Sequence, residues 1–402
     1  MQNKEPLKYT VIFGGGAIRG VAYVGAVKAL QEYNVEIGTL AGSSVGAVFA
    51  GLLAVGYDND ELKELFLNVN FDLFRDIHFG LGKEFALSKG EVFLDWLREL
   101  IEKKHYGNNY KKGANKPVTF GDLDRELVVI TTDLTNFKCK EFSKKETPDF
   151  EVAKAIRISS TMPGLMPPYK YENSELVDGD LQKSWPLWKL SDTLNATKDR
   201  ILEFRLEGDY AGKGKNAINF INTVYSCVTS VATNFIVECF GKKDRYDYIT
   251  LNTGEVVIVD FNQPKEKREH LIQIGYNQTK DYLKNVLPAK KQNLLNQYEM
   301  IFKHVLLLEK LLKKRKISLM REELGMLYMD LHEANKIIDN KIFEKINEFR
   351  DIFFNHLSEP NLFGMYAKSD LAVVSTSLML LKDEIELKKN ELEEFCGECM
   401  FV

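Results

Sequence analysis

The stretch Gly42-Ser43-Ser44-Val45-Gly46, flanked by apolar runs on both sides, leaves this chain few ways to fold around it. Its G-x-S-x-G spacing is that of a nucleophile elbow, where a serine sits on a tight strand-to-helix turn and the glycines stand where a Cβ would clash. Ile37, Leu40 and Ala41 before it fit a short buried strand, and Val45, Ala47, Val48, Phe49, Ala50, Leu52 and Leu53 after it fit a buried helix. The spacing alone leaves two readings open. Ser44 is either a nucleophile or the cap of the next helix in a small tight loop.

A second glycine-rich turn precedes the elbow. Tyr9-Thr10-Val11-Ile12-Phe13 reads as a strand running into Gly14-Gly15-Gly16-Ala17-Ile18-Arg19-Gly20, with helix-compatible sequence from Arg19 to about Tyr33. A Walker loop needs Gly-Lys-Ser/Thr at its end, and this run ends Ile18-Arg19-Gly20. A dinucleotide fingerprint fails because Arg19 stands where its last glycine belongs. Nucleotide binding is therefore the weaker account. Backbone N–H groups of such a turn, aimed at a developing oxyanion, are what a serine ester hydrolase requires.

Four pieces in order resemble the patatin-like phospholipases: the glycine run 14–20, the elbow 42–46, the stretch Ala155-Ile156-Arg157-Ile158-Ser159-Ser160-Thr161-Met162-Pro163-Gly164 leading to Pro167-Pro168, and Asp178-Gly179-Asp180. The resemblance covers roughly residues 8 to 205. It implies a patatin-like α/β fold, with a central mostly parallel sheet flanked by helices. It also implies a Ser44–Asp178 dyad, an oxyanion hole drawn from Gly14, Gly15, Gly16 and Arg19 together with the Val45 amide, and elbow glycines Gly42 and Gly46. Arg19 has a second reading, as a brace for the loop. Asp180 departs from the glycine or alanine usual after that aspartate and glycine. An aspartate at a strand end takes the serine proton directly as general base, so the dyad needs no histidine. An α/β-hydrolase would need one after the acid. His270, His304, His332 and His356 all fall in sequence that reads as helical.

The rest of the first 287 residues alternates in the same way. Asp58-Asn59-Asp60-Glu61 caps a helix reaching about Asn68. The aromatic segment Phe71 to Gly82 reads either as a flap over the serine, forming an acyl-chain entrance, or as a buried helix edge. Ser88 to Lys104 is amphipathic, Leu127 to Asp133 a buried strand, and Phe137 to Phe142 its hairpin partner. Pro148 to Ile158 reads as a helix whose following serines, Ser159 and Ser160, have no chemical role assigned. Ile201 to Leu206, Tyr246 to Leu251 and Val256 to Ile258 read as strands. Ala217 to Phe240 reads as a long apolar helix, and a further helix from Gln263 should stop near Leu287-Pro288.

Beyond Pro288 glycine becomes scarce, and leucine, lysine and glutamate rise. Helices are expected over Gln292–Lys313, Arg321–Asn335, Lys341–His356 and Leu378–Phe395. Domains of 1–287 (catalytic) and 288–402 (α-helical extension) follow. The extension suits a sensor, a partner-binding module or a homo-oligomer contact. Its basic run Lys310 to Lys316 is either a contact for anionic headgroups or a solvated helix face.

Composition narrows the class. With 402 residues and a net charge of −4, a generally nucleic-acid-binding surface is not expected. No apolar stretch approaches the roughly 18–20 residues of a membrane span, and no secretory leader is visible, so a cytoplasmic protein touching membranes peripherally is expected. Five cysteines form no disulfide framework, and the lone Cys396-Gly397-Glu398-Cys399 has no second pair. No metal and no cofactor is expected. The function that the resemblance implies is a serine carboxylic ester hydrolase acting on phospholipid through an acyl-enzyme, of phospholipase A or lysophospholipase type. A carboxylesterase on soluble or neutral acyl esters and a phospholipase effector gated by its carboxyl-terminal region are the alternatives.

Overall fold

A computed structural model describes residues 7–70, 90–163, 166–182, 200–208, 227, 246–254, 256, 263–334, 338, 340–360 and 365–399. The segment Phe71 to Gly82, the helix expected over Ala217 to Phe240 apart from Cys227, and all but Val256 of the strand expected over Val256 to Ile258 lie outside these residues. The chain divides into two compact units, with the boundary between Tyr282 and Leu283.

The first unit is α/β. Its eight described strands are β1 (Leu7–Phe13), β2 (Val35–Gly42), β3 (Leu127–Asp133), β4 (Lys138–Ser143), β5 (Tyr169–Tyr171), β6 (Ser174–Asp178), β7 (Arg200–Glu207) and β8 (Tyr246–Asn252). The helices are α1 (Ala22–Glu32), α2 (Val45–Ala54), α3 (Asn59–Asn68), α4 (Glu91–Tyr106), α5 (Val152–Ser159) and α6 (Lys265–Asp281). Strands β3, β2, β1, β7 and β8 run parallel in that spatial order, while β4, β5 and β6 pair antiparallel. The sheet is thus mixed and mostly parallel, and its inner strands are largely apolar, with the buried Arg205 and Glu203 of β7 paired to each other. Every residue of β3 is buried.

The pairing around β3 positions the site. Strand β4 lies along one edge of β3, from Val128 to Asp133. The other edge is shared. Strand β2 occupies it up to Gly42 opposite Val129, and the oppositely directed β6 takes it over with Asp178 opposite Thr131. Two residue steps along β3, with Ile130 between, separate the two ends, about 7 Å at the usual rise. The carboxyl ends of β2 and β6 therefore meet head to head. Beneath them Phe13, Tyr23, Phe49 and Phe204 pack as an aromatic cluster, with Phe13 stacked on Phe204 at 5.6 Å and edge-on to Tyr23 at 5.0 Å. This cluster fixes the ends of β1 and β7 against α1 and α2.

The expected cap of α3 is present as a reciprocal pair: Asp58 accepts from the Glu61 N–H and Glu61 from the Asp58 N–H, each at 2.8 Å. The expected stop at Leu287-Pro288 is not observed. Tyr282–Val286 form a π turn, and α7 (Leu287–Lys313) begins directly after it with Pro288 in its first turn. The wide turn places the proline where no intrahelical N–H is required, so the ring does not break the helix.

The second unit is helical: α7, α8 (Ile317–Ala334), α9 (Asn340–Leu357) and α10 (Lys368–Cys399). Residues at three- and four-residue steps, such as Leu294, Tyr298, Ile301, Val305 and Leu308 on α7 and Ile342, Ile346, Phe349 and Phe353 on α9, form a core of their own. His304 on α7 bridges Glu323 (2.6 Å) and Asp330 (2.9 Å) of α8. His270, His332 and His356 also sit in helices, and none of the four follows a strand. Among the described residues no helix is long and apolar enough to cross a membrane.

Candidate active site

Three strand ends converge. The end of β1 gives Gly14-Gly15-Gly16, that of β2 gives Ser43-Ser44, and that of β6 gives Asp178-Gly179-Asp180. Phe13 and Gly42 are paired neighbours, so the glycine turn and the elbow emerge side by side.

Ser44 stands between β2 and α2 with φ 52° and ψ −128°. A non-glycine residue held there stores about 1–3 kcal/mol of strain and persists only where its surroundings over-determine it. The surroundings do so. The Ser43 N–H donates to Phe13 O (3.2 Å), the Gly46 N–H to Ser43 O (2.8 Å), and the Ser44 N–H to both Ser159 Oγ (3.0 Å) and Ser159 O (3.2 Å). Gly46 lies so close to β1 that a Cβ there would be 2.0 Å from Phe13 O. Ser44 is buried, and among the described residues its hydroxyl makes no hydrogen bond.

Across the gap on β3, Asp178 is 1% exposed. Its N–H donates to Thr161 O, and its Oδ1 accepts the Asp180 N–H at 2.9 Å. Gly179 presses on the elbow: a Cβ there would lie 2.2 Å from Ile130 O and 3.0 Å from Ser43 Cβ. The same Ile130 carbonyl accepts the Ser159 hydroxyl at 2.6 Å. Ser159, with no chemical role assigned from sequence, thus clamps the Ser44 turn to the centre of β3. The stretch 155–164 places it near the site but not its role, because its partners, Ser44 after β2 and Ile130 on β3, lie far away in the chain. Replacing Ser159 with alanine should lower stability by about 1 kcal/mol rather than the ~3 kcal/mol of a fully orphaned amide, since Ser159 O still accepts from Ser44. Urea unfolding of the variant checks this.

The glycine-turn amides are not equivalent. The Gly14 N–H donates to Phe204 O at 3.0 Å, and the Gly15 N–H to Asp180 Oδ1 at 3.1 Å. The Gly16 N–H has no partner among the described residues, and Val45, the first residue of α2, presents an N–H with no acceptor inside the helix. The positive end of the α2 dipole adds to the field at this point. Tyr23 donates to Gly14 O at 2.6 Å. Burial first, then the charges of Asp180 and Glu203, push its hydroxyl well above the usual tyrosine range, so it stays a donor. Arg19 is buried, and its Nε donates to Val256 O at 2.8 Å. Its guanidinium also lies against Gly208, where a Cβ would be 2.8 Å from Nη2. Those contacts fit the bracing reading of Arg19. Among the described residues no group of three or more His, Cys, Asp or Glu side chains is arranged to hold a metal ion.

A strained serine, a buried carboxylate and two amides with no acceptor among the described residues fit acyl transfer. The model of the patatin-like phospholipase family matches residues 11–188, which hold all three strand ends. Residues 11–188 belong to the patatin-like phospholipase family. One similar protein reaches beyond that span, and two cover a comparable share of the chain. An uncharacterized protein of Acanthamoeba polyphaga mimivirus is 26% identical over 302 residues, covering 70% of this chain and 98% of that protein. A probable lipid hydrolase of Invertebrate iridescent virus 6 is 28% identical over 190 residues, 44% of this chain and 61% of that protein. A lysophospholipase of Emericella nidulans is 28% identical over 176 residues, 42% of this chain and 10% of that protein.

Proposed function

We propose that the chain is a lipid acyl hydrolase that cleaves carboxylic ester bonds of phospholipids through a Ser44–Asp178 dyad and an acyl-enzyme. The observation that carries the reading is the meeting of β2 and β6 on one edge of β3, which brings a strained elbow serine and a buried carboxylate to the same gap. Family membership and the lipid-hydrolase and lysophospholipase names of similar proteins support the substrate class.

In the mechanism, Asp178 accepts the Ser44 hydroxyl proton as Oγ attacks the ester carbonyl. The oxyanion accepts hydrogen bonds from the Gly16 and Val45 N–H groups, because the Gly14 and Gly15 amides already donate to Phe204 O and Asp180. Asp178 then returns its proton to the leaving alcohol, giving the acyl-enzyme. A water that gives one proton to Asp178 attacks the acyl carbonyl, the bond from the acyl carbon to Ser44 Oγ then breaks, and Oγ takes that proton back from Asp178 as the fatty acid leaves. Bilayer substrates call for peripheral membrane contact, and the helical unit from Leu283 onward is the part assigned to such contact, to a regulator or to self-association.

The test is fatty-acid release from mixed phospholipid vesicles in the presence of chelator. Release that chelator leaves intact is expected, since the dyad supplies both nucleophile and base. Hydrolysis of soluble short-chain esters with intact vesicles would replace the phospholipase reading by a carboxylesterase. Silence on both substrates until a second protein or lipid is added would favour a gated effector.

A further inference from the structure

Asp180 does something the dyad does not require. It sits two residues past the catalytic aspartate, where the resemblance leads one to expect glycine or alanine, and it is buried. Its Oδ1 accepts from two different loops at once, the Gly15 N–H of the glycine turn at 3.1 Å and the Ser43 hydroxyl of the elbow. Its own N–H donates to Asp178 Oδ1 at 2.9 Å. One residue thus ties together the glycine turn, the elbow and the catalytic carboxylate. The fit is close enough to exclude any side chain opposite: a Cβ on Gly15 would lie 1.8 Å from Asp180 Oδ2.

We infer that Asp180 is a positioning residue, a strap that sets the glycine turn against the elbow and reserves the Gly15 amide for itself, so that the oxyanion hole has two donors, Gly16 and Val45. The inference rests on the hydrolase reading for its catalytic consequence but not for the strap itself. The Gly15 amide points at a carboxylate oxygen and cannot also serve an ester oxygen. What it does instead is fix the turn from which the next amide, Gly16, is presented. A turn free to drift by an ångström would lose much of the hole, because oxyanion donors act through fixed geometry. The strap needs an acceptor at Oδ1 and no more. Asp180 Oδ2 makes no hydrogen bond among the described residues, so asparagine keeps the strap and alanine removes it.

The experiment compares wild type, Asp180→Asn and Asp180→Ala by hydrogen exchange over the peptide spanning residues 14–20 and by kinetics on a soluble ester. In Asp180→Ala, exchange in that peptide should rise and kcat should fall about ten- to a hundredfold, with KM within about twofold. Asp180→Asn should recover most of both. A folded Asp180→Ala protein with wild-type exchange, or with loosened exchange and undiminished kcat, overturns the inference, as does an asparagine variant as impaired as alanine. A wild type that hydrolyses nothing, yet whose residues 14–20 loosen only in the alanine variant, supports the strap and counts against the hydrolase reading instead.

Discussion

Replacing Ser44 by alanine should reduce fatty-acid release by on the order of a thousandfold or more while leaving the fold intact, and Asp178→Ala should do the same. The two losses should not add. A nucleophile without its base and a base without its nucleophile are both idle, so the double variant should be no worse than either single one. Ser43→Ala is the informative contrast. Ser43 is the adjacent hydroxyl, and it has a carboxylate partner of its own in Asp180. Backbone geometry separates the two serines: only Ser44 occupies the strained turn from which a side chain projects at the amino terminus of α2. Ser43→Ala should therefore retain measurable turnover, and a fluorophosphonate probe should label it but not Ser44→Ala. Labelling of Ser44→Ala would transfer the nucleophile to Ser43 and sink the dyad as assigned. The stability of Ser44→Ala should be equal to or slightly above that of wild type, since its hydroxyl has no hydrogen bond among the described residues to lose.

The parts of this site that were legible in the sequence are those fixed by short-range backbone chemistry. Glycines at 42 and 46 around a serine, an apolar strand before and an apolar helix after can be read from consecutive residues. So can the Asp58 cap and the three- and four-residue apolar steps of the second unit. Illegible were the contacts made between segments far apart in the chain. Nothing near residue 159 announces that its hydroxyl bridges the Ser44 amide and Ile130 O, and nothing near 180 announces a link to Gly15. The head-to-head meeting of β2 and β6 depends on β6 running antiparallel to β3, a choice that periodicity within either strand does not encode. Pro288 misleads for a related reason. A proline predicts a helix stop only if the preceding turn is an α turn, and here it is a π turn.

Gly46→Ala is the second large effect expected, and it separates fold from function in one residue. The added methyl would sit 2.0 Å from Phe13 O and 2.7 Å from Gly14 O. Both obstacles are backbone, one at the end of β1 and the other held by the Tyr23 hydroxyl, so neither can rotate aside as a long side chain would. Either α2 lifts or the glycine turn retreats. The overpacking should destabilise by about 1–3 kcal/mol, read as a lower urea midpoint. The loss in kcat should be larger in proportion, about a hundredfold, because the displacement falls on the amides proposed to hold the oxyanion, where an ångström counts. Gly325 on α8 provides the control. Nothing lies within 4 Å of a Cβ built there, and its backbone is helical, so Gly325→Ala should stabilise by up to ~1 kcal/mol without touching kcat. If Gly46→Ala kept both its urea midpoint and its turnover, the close packing of β1 on the elbow would not be what holds Ser44 in its strained turn.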